Sequence, residues 1–414
     1  TNGLKYTPSS CTMETAHTKL RCTTVAGYGK DLKFIVTVAS QASTLTSTDL
    51  DYAAPTITGI SSTPFSTSGG DTVTITGTGF GVSTHTDISA TYGTFTATAC
   101  VWQSATSLQC TTVVGKGKEL AWTLGGFDSQ PSNAFGLTRY ANPTITSIAV
   151  NGGGRMNTAG GSTIDIVGTN FGPACNDGCV DATYEYFDTS LSSTTTYTTT
   201  CNVEAPGHVT LSCASIAGVG KEHNWIVTVA TQTGNKISDI AYASPTVSSL
   251  SGAAVSGAID TRGGVAIIVN GANFGPPTHQ AFTVNYGPSG NVDKYTADCS
   301  SFYAQNTQIK ITCNTIAGVG TDLKWQITVG NQLSGISTPV TSYRDPTLTD
   351  LSGTAFDNPS TTEGNVAIIL TGKFWNCFIF SVISLLLLCM CVCVCVCVCV
   401  NVSAPLYVCI YFFN

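Results

Sequence analysis

The sequence predicts an all-β protein built as a tandem array of small β-sandwich units, and two observations predict it. The first is a cassette of fixed spacing: a cysteine, four residues, Gly-x-Gly, four residues and an aromatic residue that opens a strand. The second is an alternation of apolar and polar residues with a period of two, which is typical of half-buried strands. The cassette occurs four times, beginning at Cys22, Cys110, Cys213 and Cys313.

Strands are predicted on both sides of each cassette. Before the second cassette Val73 and Ile75 alternate with threonines, and after the third Trp225, Val227 and Val229 recur at every second position. Turn residues about every eight to twelve positions favour a sandwich, and residues 1–372 contain no apolar stripe with helix caps. Because Gly-x-Gly precedes a strand rather than a helix, we interpret it as a tight bend and not as a phosphate-binding loop.

Other residues recur in step with the cassette and set the limits of the units. A Tyr-x-x-Pro motif, first seen at Tyr52 and Pro55, precedes each new unit, and a turn glycine follows at a similar distance. A unit of about 90–100 residues is large enough for its own core. We predict the back half of a unit at 1–54, complete units at 55–142, 143–244 and 245–345, the front of a further unit at 346–372, and a hydrophobic tail at 373–414.

Composition argues against a nucleic-acid partner. Charged residues make up 10% of the chain, whereas globular domains average about 25%. The formal net charge is −7, and the repeats contain no basic run. Neutralisation of phosphates by clustered lysine and arginine supplies most nucleic-acid affinity, so no such partner is expected.

Ten cysteines lie in the repeats and fall into close pairs. One pair per unit, 10 to 14 positions apart, indicates a local disulfide between neighbouring strands, and therefore an oxidising compartment. Reduced core cysteines are the alternative. A fifth pair lies in an insertion, where a small disulfide loop is favoured over a metal site because no histidine or second pair is near. The candidate pairs are Cys11 and Cys22, Cys100 and Cys110, Cys175 and Cys179, Cys201 and Cys213, and Cys299 and Cys313.

No catalytic, cofactor-binding or metal-binding residue is predicted. Asp177, Asp181 and Glu185 could ligate calcium in the insertion, but we favour a solvated acidic loop. The histidines do not recur at one repeat position with a partner serine, cysteine or carboxylate, although catalytic groups meet in space rather than in sequence. The five histidines are His17, His85, His208, His223 and His279.

Two further segments leave alternatives open. Asn-x-Ser/Thr sequons are absent from residues 1–372, so N-glycosylation is not expected there. The run at 192–200, SSTTTYTTT, could carry O-glycans or could be a polar strand edge or loop. The chain also opens inside a unit at Thr1, so we expect an incomplete front end, in which no signal peptide can be sought.

The repeat breaks off at Lys373, where the expected Gly-x-x-Phe-Gly motif is missing. Residues 378–400 carry no charge and are long enough for a transmembrane helix. The alternating run from Cys391 to Val400 is, however, what a TG dinucleotide repeat encodes. We therefore favour translated intron over a genuine membrane anchor.

The repeats resemble the IPT/TIG domain family. Each unit begins with Pro-x-Ile/Val and continues with a double glycine, a strand, Gly-x-x-Phe-Gly, a cysteine pair and Gly-x-Gly, in fixed phase. Gly125 and Gly126 depart from this pattern, because the other copies have Thr-Val there, and the strand is expected to bulge or to end early. The Gly-x-x-Phe-Gly motifs end at Gly81, Gly172 and Gly275.

The resemblance implies tandem immunoglobulin-like sandwiches of the early set, without catalysis by the module itself. By analogy with the family, the roles open to the chain are adhesion or ligand binding outside the cell, DNA binding, and accessory service to glycan-active enzymes. The acidic balance and paired cysteines argue against DNA. We therefore expect a non-enzymatic cell-surface array that binds a protein or glycan, with no cofactor. The alternatives are a passive spacer and an accessory region of a larger carbohydrate-active surface enzyme, and a membrane anchor depends on 378–400.

Overall fold

The computed structural model describes residues 5–61, 63–279, 281–302, 310–352 and 369–373. Within these ranges the protein is almost entirely β-structure, arranged as tandem immunoglobulin-like units, as predicted. The helical exceptions are α1 (Ala253–Ser256) and one 3₁₀ turn (Val292–Lys294). The candidate membrane segment at 378–400 lies outside the described residues. No helix in the described part of the chain is both long and apolar enough to cross a bilayer.

The N-terminal half unit contains two small antiparallel ribbons. Its inner face is open in the described structure: Leu20 and Phe34 are 45% and 37% exposed, whereas their counterparts Leu108 and Trp122 are fully buried. The strands are β1 (Ser10–Thr15) paired with β2 (Lys19–Thr23), and β3 (Thr37–Val38) paired with β4 (Gln41–Ala42).

The first complete unit is a sandwich of two four-stranded antiparallel sheets. Its strands are β5 (Thr56–Ile60), β6 (Thr72–Thr78), β7 (Ser89–Tyr92), β8 (Phe95–Thr96), β9 (Thr98–Ser104), β10 (Ser107–Thr111), β11 (Leu120–Gly125) and β12 (Phe135–Thr138). One sheet has the order β5-β6-β10-β9 and the other β12-β11-β7-β8. Alternate residues of β6 and β11 are buried, which is the period of two that the sequence shows.

The second unit joins its two layers into one continuous sheet. Its strands are β13 (Thr144–Val150), β14 (Thr163–Thr169), β15 (Cys175–Asp188), β16 (Ser193–Val203), β17 (Thr210–Ala214), β18 (Asn224–Val229), β19 (Gln232–Thr233) and β20 (Ile237–Ser238). The order is β13-β14-β17-β16-β15-β18-β19, with β20 also paired to β18. The layers join because β16 pairs with β15 along its length and then reaches β17 at Cys201 and Cys213.

The third unit returns to two four-stranded sheets. Its strands are β21 (Thr246–Ser251), β22 (Ala266–Ala272), β23 (Phe282–Gly287), β24 (Tyr295–Thr296), β25 (Asp298–Phe302), β26 (Lys310–Asn314), β27 (Lys324–Val329) and β28 (Gln332–Leu333). The orders are β21-β22-β26-β25 and β24-β23-β27-β28. Beyond it, β29 (Thr347–Ser352) pairs with β30 (Ile369–Lys373), as β5 pairs with β6.

The aromatic residue of the cassette forms the centre of each complete core. Trp122, Trp225 and Trp325 are fully buried. A tyrosine from the neighbouring strand stacks on each indole; in the first unit the ring centroids of Tyr92 and Trp122 are 4.4 Å apart. A buried aromatic side chain removes a large apolar area from water, so these pairs account for much of the stability of each sandwich.

The five cysteine pairs named above form disulfide bonds in the structure. In three of them the partners lie directly opposite each other on neighbouring strands, as in Cys201 and Cys213, whose Cα atoms are 4.2 Å apart. The Cα separations of the other long-loop pairs are 3.9–4.1 Å, and that of Cys175 and Cys179 is 6.4 Å. Each disulfide thus closes a short loop between adjacent strands or within the insertion.

Two sequence expectations need correction or refinement. Asp177, Asp181 and Glu185 do not form an acidic loop, because all three lie on β15. At the departure in the first unit, β11 ends at Gly125 and Gly126 turns the chain with φ +89°. The unit contains one extra residue there, since the following turn begins six positions after Trp122 but five after the corresponding tryptophan of later units.

Candidate functional site: the junctions between units

The first glycine of each cassette lies beneath a tyrosine ring. In the first unit the Tyr140 hydroxyl donates to the carbonyl oxygen of Val113 at 2.7 Å, which makes a tyrosine corner. A Cβ on Gly115 would lie 2.6 Å from the Tyr140 Cζ atom, so no larger residue fits. Burial raises the pKa of Tyr140 and keeps the phenol neutral. The corner recurs at Tyr52, Tyr242 and Tyr343, with hydroxyl-to-carbonyl distances of 2.5, 2.7 and 2.6 Å.

The second glycine of the cassette faces the next unit. Its φ is +109°, +115°, +110° and +123° in the four copies, a conformation that residues other than glycine rarely adopt. A Cβ on Gly117 would lie 3.8 Å from the Cβ of Ala230, which belongs to the second unit. At the next boundary a Cβ on Gly330 would lie 2.7 Å from the backbone nitrogen of Gly220. The cassette therefore forms a bend within one unit and a contact surface for the following unit.

A tight hairpin turn from the following unit packs against this surface. Both central residues of the turn have positive φ, for example 44° and 66° at Ala230 and Thr231, as in a type I′ turn. This conformation favours glycine or asparagine, yet three of the four such turns among the described residues contain neither. At the three boundaries we attribute the retention of this conformation to close packing against the cassette of the preceding unit.

The residue directly after each turn is a glutamine, and at three boundaries this glutamine binds the preceding unit. Gln232 Nε2 donates to the carbonyl oxygen of Tyr140 at 2.8 Å and also to Asn142 Oδ1 at 2.9 Å. Gln332 donates in the same way to the carbonyl oxygen of Tyr242 at 2.9 Å. Both glutamines are 5% exposed. The same bond occurs between the half unit and the first unit, from Gln130 Nε2 to the carbonyl oxygen of Tyr52 at 2.9 Å.

The residue between the two cassette glycines is the variable part of the junction. It packs against the last glycine of the Phe-Gly motif in the next unit. Tyr28, Lys116 and Val219 occupy this place at the three boundaries. A Cβ on Gly172 would lie 3.1 Å from Lys116 Cδ, so this side chain crosses the boundary closely. Each joint thus keeps one backbone geometry and differs in the chemistry at its centre.

Three of the five histidines also lie at boundaries, which sequence reasoning did not predict. His85 stacks on Tyr28 of the half unit, with ring centroids 3.7 Å apart. His208 Nδ1 lies 2.9 Å from Thr67 Oγ1 of the first unit. His279 Nε2 lies 3.7 Å from Asp188 Oδ2 of the second unit.

The other two histidines do not contact a neighbouring unit in the described structure. His17 is exposed in the β1–β2 turn. His223 is fully buried in the second unit, with its ring nitrogens 3.3 and 3.2 Å from the carbonyl oxygens of Ile240 and Val219. Burial lowers the pKa of His223 to about 4, although both carbonyls favour the charged form.

The second unit carries an extended hairpin that also reaches its neighbour. Tyr184 and Tyr197 face each other across β15 and β16, as Tyr92 and Phe95 do in the first unit. Two residues connect the pair in the first unit and 12 in the second, from 185 to 196. The run 192–200, for which the sequence left open O-glycans or a polar edge, forms most of β16, and four of its threonines point outward: Thr194, Thr196, Thr198 and Thr200.

The acidic residues of β15 named above do not form a metal site in the described structure. Glu185 pairs with Lys236 at 2.9 Å, and Asp177 and Asp181 are exposed. Within the described ranges no group of three or more histidine, cysteine or acidic side chains is placed to hold a metal ion. The recurrent constellation in the described chain is the junction itself, which is a structural site.

Comparison with known proteins identifies the unit. Residues 55–134 match the sequence model of the IPT/TIG domain. The chain therefore contains an IPT/TIG domain, as the resemblance of its motifs predicted, within an array of immunoglobulin-like sandwiches. No curated protein sequence is significantly similar to the chain.

Solved structures that match the chain at low sequence identity include a plexin extracellular region, a bacterial adhesin and SGBP-B. The plexin A4 extracellular region is 13% identical over 70% of this chain and 34% of its own length, with a TM-score of 0.22. The Escherichia coli adhesin FdeC is 11% identical, with coverages of 70% and 96% and a TM-score of 0.23. SGBP-B from a xyloglucan utilization locus of Bacteroides uniformis is 11% identical, with coverages of 69% and 96% and a TM-score of 0.19. The chain spans about a third of the plexin region it matches.

Proposed function

We propose that this chain is part of an extracellular array of IPT/TIG units that acts without catalysis, in adhesion or ligand recognition at a cell surface. The observation that carries the proposal is the repeated junction. A turn, a glutamine and a cassette glycine meet in the same way at each described boundary. Such joints hold the exposed loops and strand edges of successive units at set positions, where immunoglobulin-like modules bind their partners.

The chemistry of the chain supports the compartment. Every complete unit carries a disulfide between neighbouring strands, and disulfides persist in oxidising environments outside the cytosol. Low charge and an acidic balance disfavour a nucleic-acid partner. A protein or a glycan at the cell surface is the class of ligand that remains, and the array needs no cofactor for this role.

The tip of the extended hairpin is the surface we would test first. Phe187 and Leu191 are 58% and 51% exposed there, on a projection that the first unit lacks. Large exposed apolar side chains on a projecting edge are common in recognition surfaces. Val101 on β9 is 47% exposed and serves as a matched control on another unit.

Binding of the intact chain to cells tests the proposal. The full chain, biotinylated and gathered on streptavidin, is applied to intact cells of the organism that encodes it, before and after digestion with protease or glycosidase. We expect saturable binding that one digestion abolishes and that Phe187→Ser with Leu191→Ser weakens more than Val101→Ser. Absence of binding by the disulfide-intact array would contradict recognition.

A passive spacer is the second candidate, and the same regular junctions favour it, because a rod needs defined joints but no ligand. The cell-binding experiment separates the two. A spacer predicts an elongated particle in small-angle scattering and no saturable binding. Recognition predicts saturable binding by a particle of the same elongated shape.

A further inference from the structure

We propose that the second and third units form one rigid body, locked by the extended hairpin of the second unit, whereas the joint between the first and second units bends. The array would then have a stiff arm of two units and a hinge at one defined boundary. This conformational device goes beyond recognition, since it would hold for a spacer as well. It rests on two independent observations, the continuity of the hydrophobic core and the contacts of the hairpin tip.

The hydrophobic core is continuous across the second joint but not across the first. One cluster of buried side chains includes the cores of both the second and third units, while the first unit has a separate cluster. The residue between the cassette glycines explains the difference. Val219 is 1% exposed and packs against Gly275 of the third unit. Lys116 occupies that place at the first joint, where its long charged side chain does not extend an apolar core.

The tip of the hairpin adds hydrogen bonds that the first joint lacks. Asn331, in the turn of the third unit, accepts at Oδ1 from the backbone nitrogen of Thr189 at 3.0 Å and from its hydroxyl at 2.6 Å. Asn331 Nδ2 also donates to the carbonyl oxygen of Phe187 at 2.5 Å. At the first joint the same turn position is Thr231, which makes no side-chain hydrogen bond to the first unit among the described residues.

A buried aspartate orders the hairpin tip beside the third unit. Asp188 is fully buried at the hairpin tip and accepts from the Tyr186 hydroxyl and the backbone nitrogen of Ser190, each at 2.9 Å. His279 of the third unit lies 3.7 Å away and is 9% exposed. Tyr186 also covers the cassette, since a Cβ on Gly220 would lie 2.7 Å from its ring. The extension therefore fills the space between the two units from one side.

The first joint has contacts of its own, but they are polar, and Lys116 and His208 are less buried than Val219. Lys116 Nζ donates to the carbonyl oxygen of Cys179 at 3.2 Å, and His208 approaches Thr67. Water can replace such bonds at low cost, whereas separating a continuous apolar core exposes surface. Interdomain motion is the default unless the interface is large and apolar, so bending should concentrate at the first joint.

Distance distributions from pulsed electron paramagnetic resonance test the proposal on the full chain. Spin labels enter as unnatural amino acids, which leaves the cysteines untouched. One pair of labels, at Asp181 and Lys310, spans the second joint. The other pair, at Thr91 and Thr163, spans the first joint. All four side chains are exposed. We expect a distribution at least roughly twofold broader across the first joint. Equal widths would overturn the proposal.

Two variants identify the lock. Asn331→Gly removes the side-chain bonds but keeps the positive φ of 60° accessible, and Thr231→Gly is its control at the first joint. Val219→Lys places the residue of the first joint at the second. We expect Asn331→Gly and Val219→Lys to broaden the distance distribution across the second joint. We expect Thr231→Gly to leave that distribution unchanged. If Val219→Lys prevents folding, Asn331→Gly decides, and an unchanged width there would contradict the role of the hairpin.

Discussion

Gln232 of the second unit donates a 2.8 Å hydrogen bond to the backbone carbonyl of Tyr140, the tyrosine that forms the corner of the first unit. The same tyrosine hydroxyl binds Val113 beside the cassette. One residue thus couples the internal bend of a unit to its attachment to the next. Because the arrangement recurs at three boundaries, the cassette repeat encodes the joint as well as the fold.

Removing this glutamine should loosen the first joint without unfolding either unit. Gln232→Ala leaves the buried carbonyl of Tyr140 unpaired, which costs about 1–3 kcal/mol. Hydrogen exchange should accelerate at the turn formed by Ala230 and Thr231, while β18 stays protected. Gln109→Ala, on the half-buried face of β10, is the control and should change neither region. Unchanged exchange at the turn would contradict the role of Gln232.

The first cassette glycine should tolerate no side chain. In the third unit a Cβ on Gly318 would lie 2.7 Å from the Tyr343 hydroxyl and 2.8 Å from the Tyr295 ring. We expect Gly318→Ala to destabilise this unit by about 1–3 kcal/mol through overpacking, measured as the loss in urea unfolding free energy. Gly335→Ala is the matched control, because no atom lies within 4 Å of its added Cβ. Equal stability of the two variants would contradict the packing argument.

The second unit should lose stability in acid through His223. Its pKa is about 4 when folded and 6.5 when unfolded, so the unfolded state binds more protons between these values. Stability is therefore present above about pH 6.5 and falls as the pH drops toward 4, by about 3 kcal/mol in total. Urea unfolding read by pulsed hydrogen exchange of β18 measures this slope.

Replacing the buried imidazole should reduce that dependence. His223→Gln keeps a polar group near the carbonyls of Ile240 and Val219 but cannot titrate. We expect its unfolding free energy to vary less between pH 6.5 and pH 4 than that of the parent chain. His17→Gln, at an exposed turn, controls for the loss of a histidine. An unchanged slope in His223→Gln would show that other groups cause the acid sensitivity.

The two disulfides of the second unit should stabilise it unequally, because they close loops of different length. Cys201 and Cys213 are 12 positions apart, and the chain-entropy model assigns such a loop about 3 kcal/mol. Replacing both by alanine should lower the unfolding free energy of the second unit by that amount. Replacing Cys175 and Cys179, only 4 positions apart, should cost about 2 kcal/mol. A larger loss from the short loop would contradict the ranking.

Local patterns predicted the strands and the bends, because each pattern lies within one strand or turn. The period of two predicted that Val73 and Ile75 lie in the core, and both are buried. The cassette aromatics are buried as well: Trp122, Trp225 and Trp325. The glycine pattern indicated bends, and the structure adds the reason for each. Such signals depend on neighbours in the chain, which a single sequence displays.

The junction was missed because it joins residues about ninety positions apart. Gln232 and Tyr140 are 92 positions apart, and nothing near either one marks the contact. A signal did exist: a glutamine follows the second turn residue in all four copies, at Gln41, Gln130, Gln232 and Gln332. The turns themselves were hidden, since Ala230 and Thr231 are poor indicators of a type I′ turn.

The extended hairpin was misread for a related reason. Sequence reasoning placed an acidic loop near Asp181 and Glu185 and left the threonine run ambiguous. In the structure both segments are strands that pair with each other, and the acidic side chains alternate with buried residues such as Tyr184 and Tyr186. Pairing between two polar segments is set by their register and by the turn that joins them, which composition does not reveal.

Disulfide mapping of the chain isolated from its own cells tests the central claim most directly. Free thiols are blocked at once, the unreduced protein is digested, and linked peptides are identified by mass spectrometry. An extracellular array predicts links between Cys11 and Cys22, Cys100 and Cys110, Cys201 and Cys213, and Cys299 and Cys313, with Cys175 joined to Cys179. Blocked free thiols at the four strand-bridging pairs would place the chain in a reducing compartment and contradict the account.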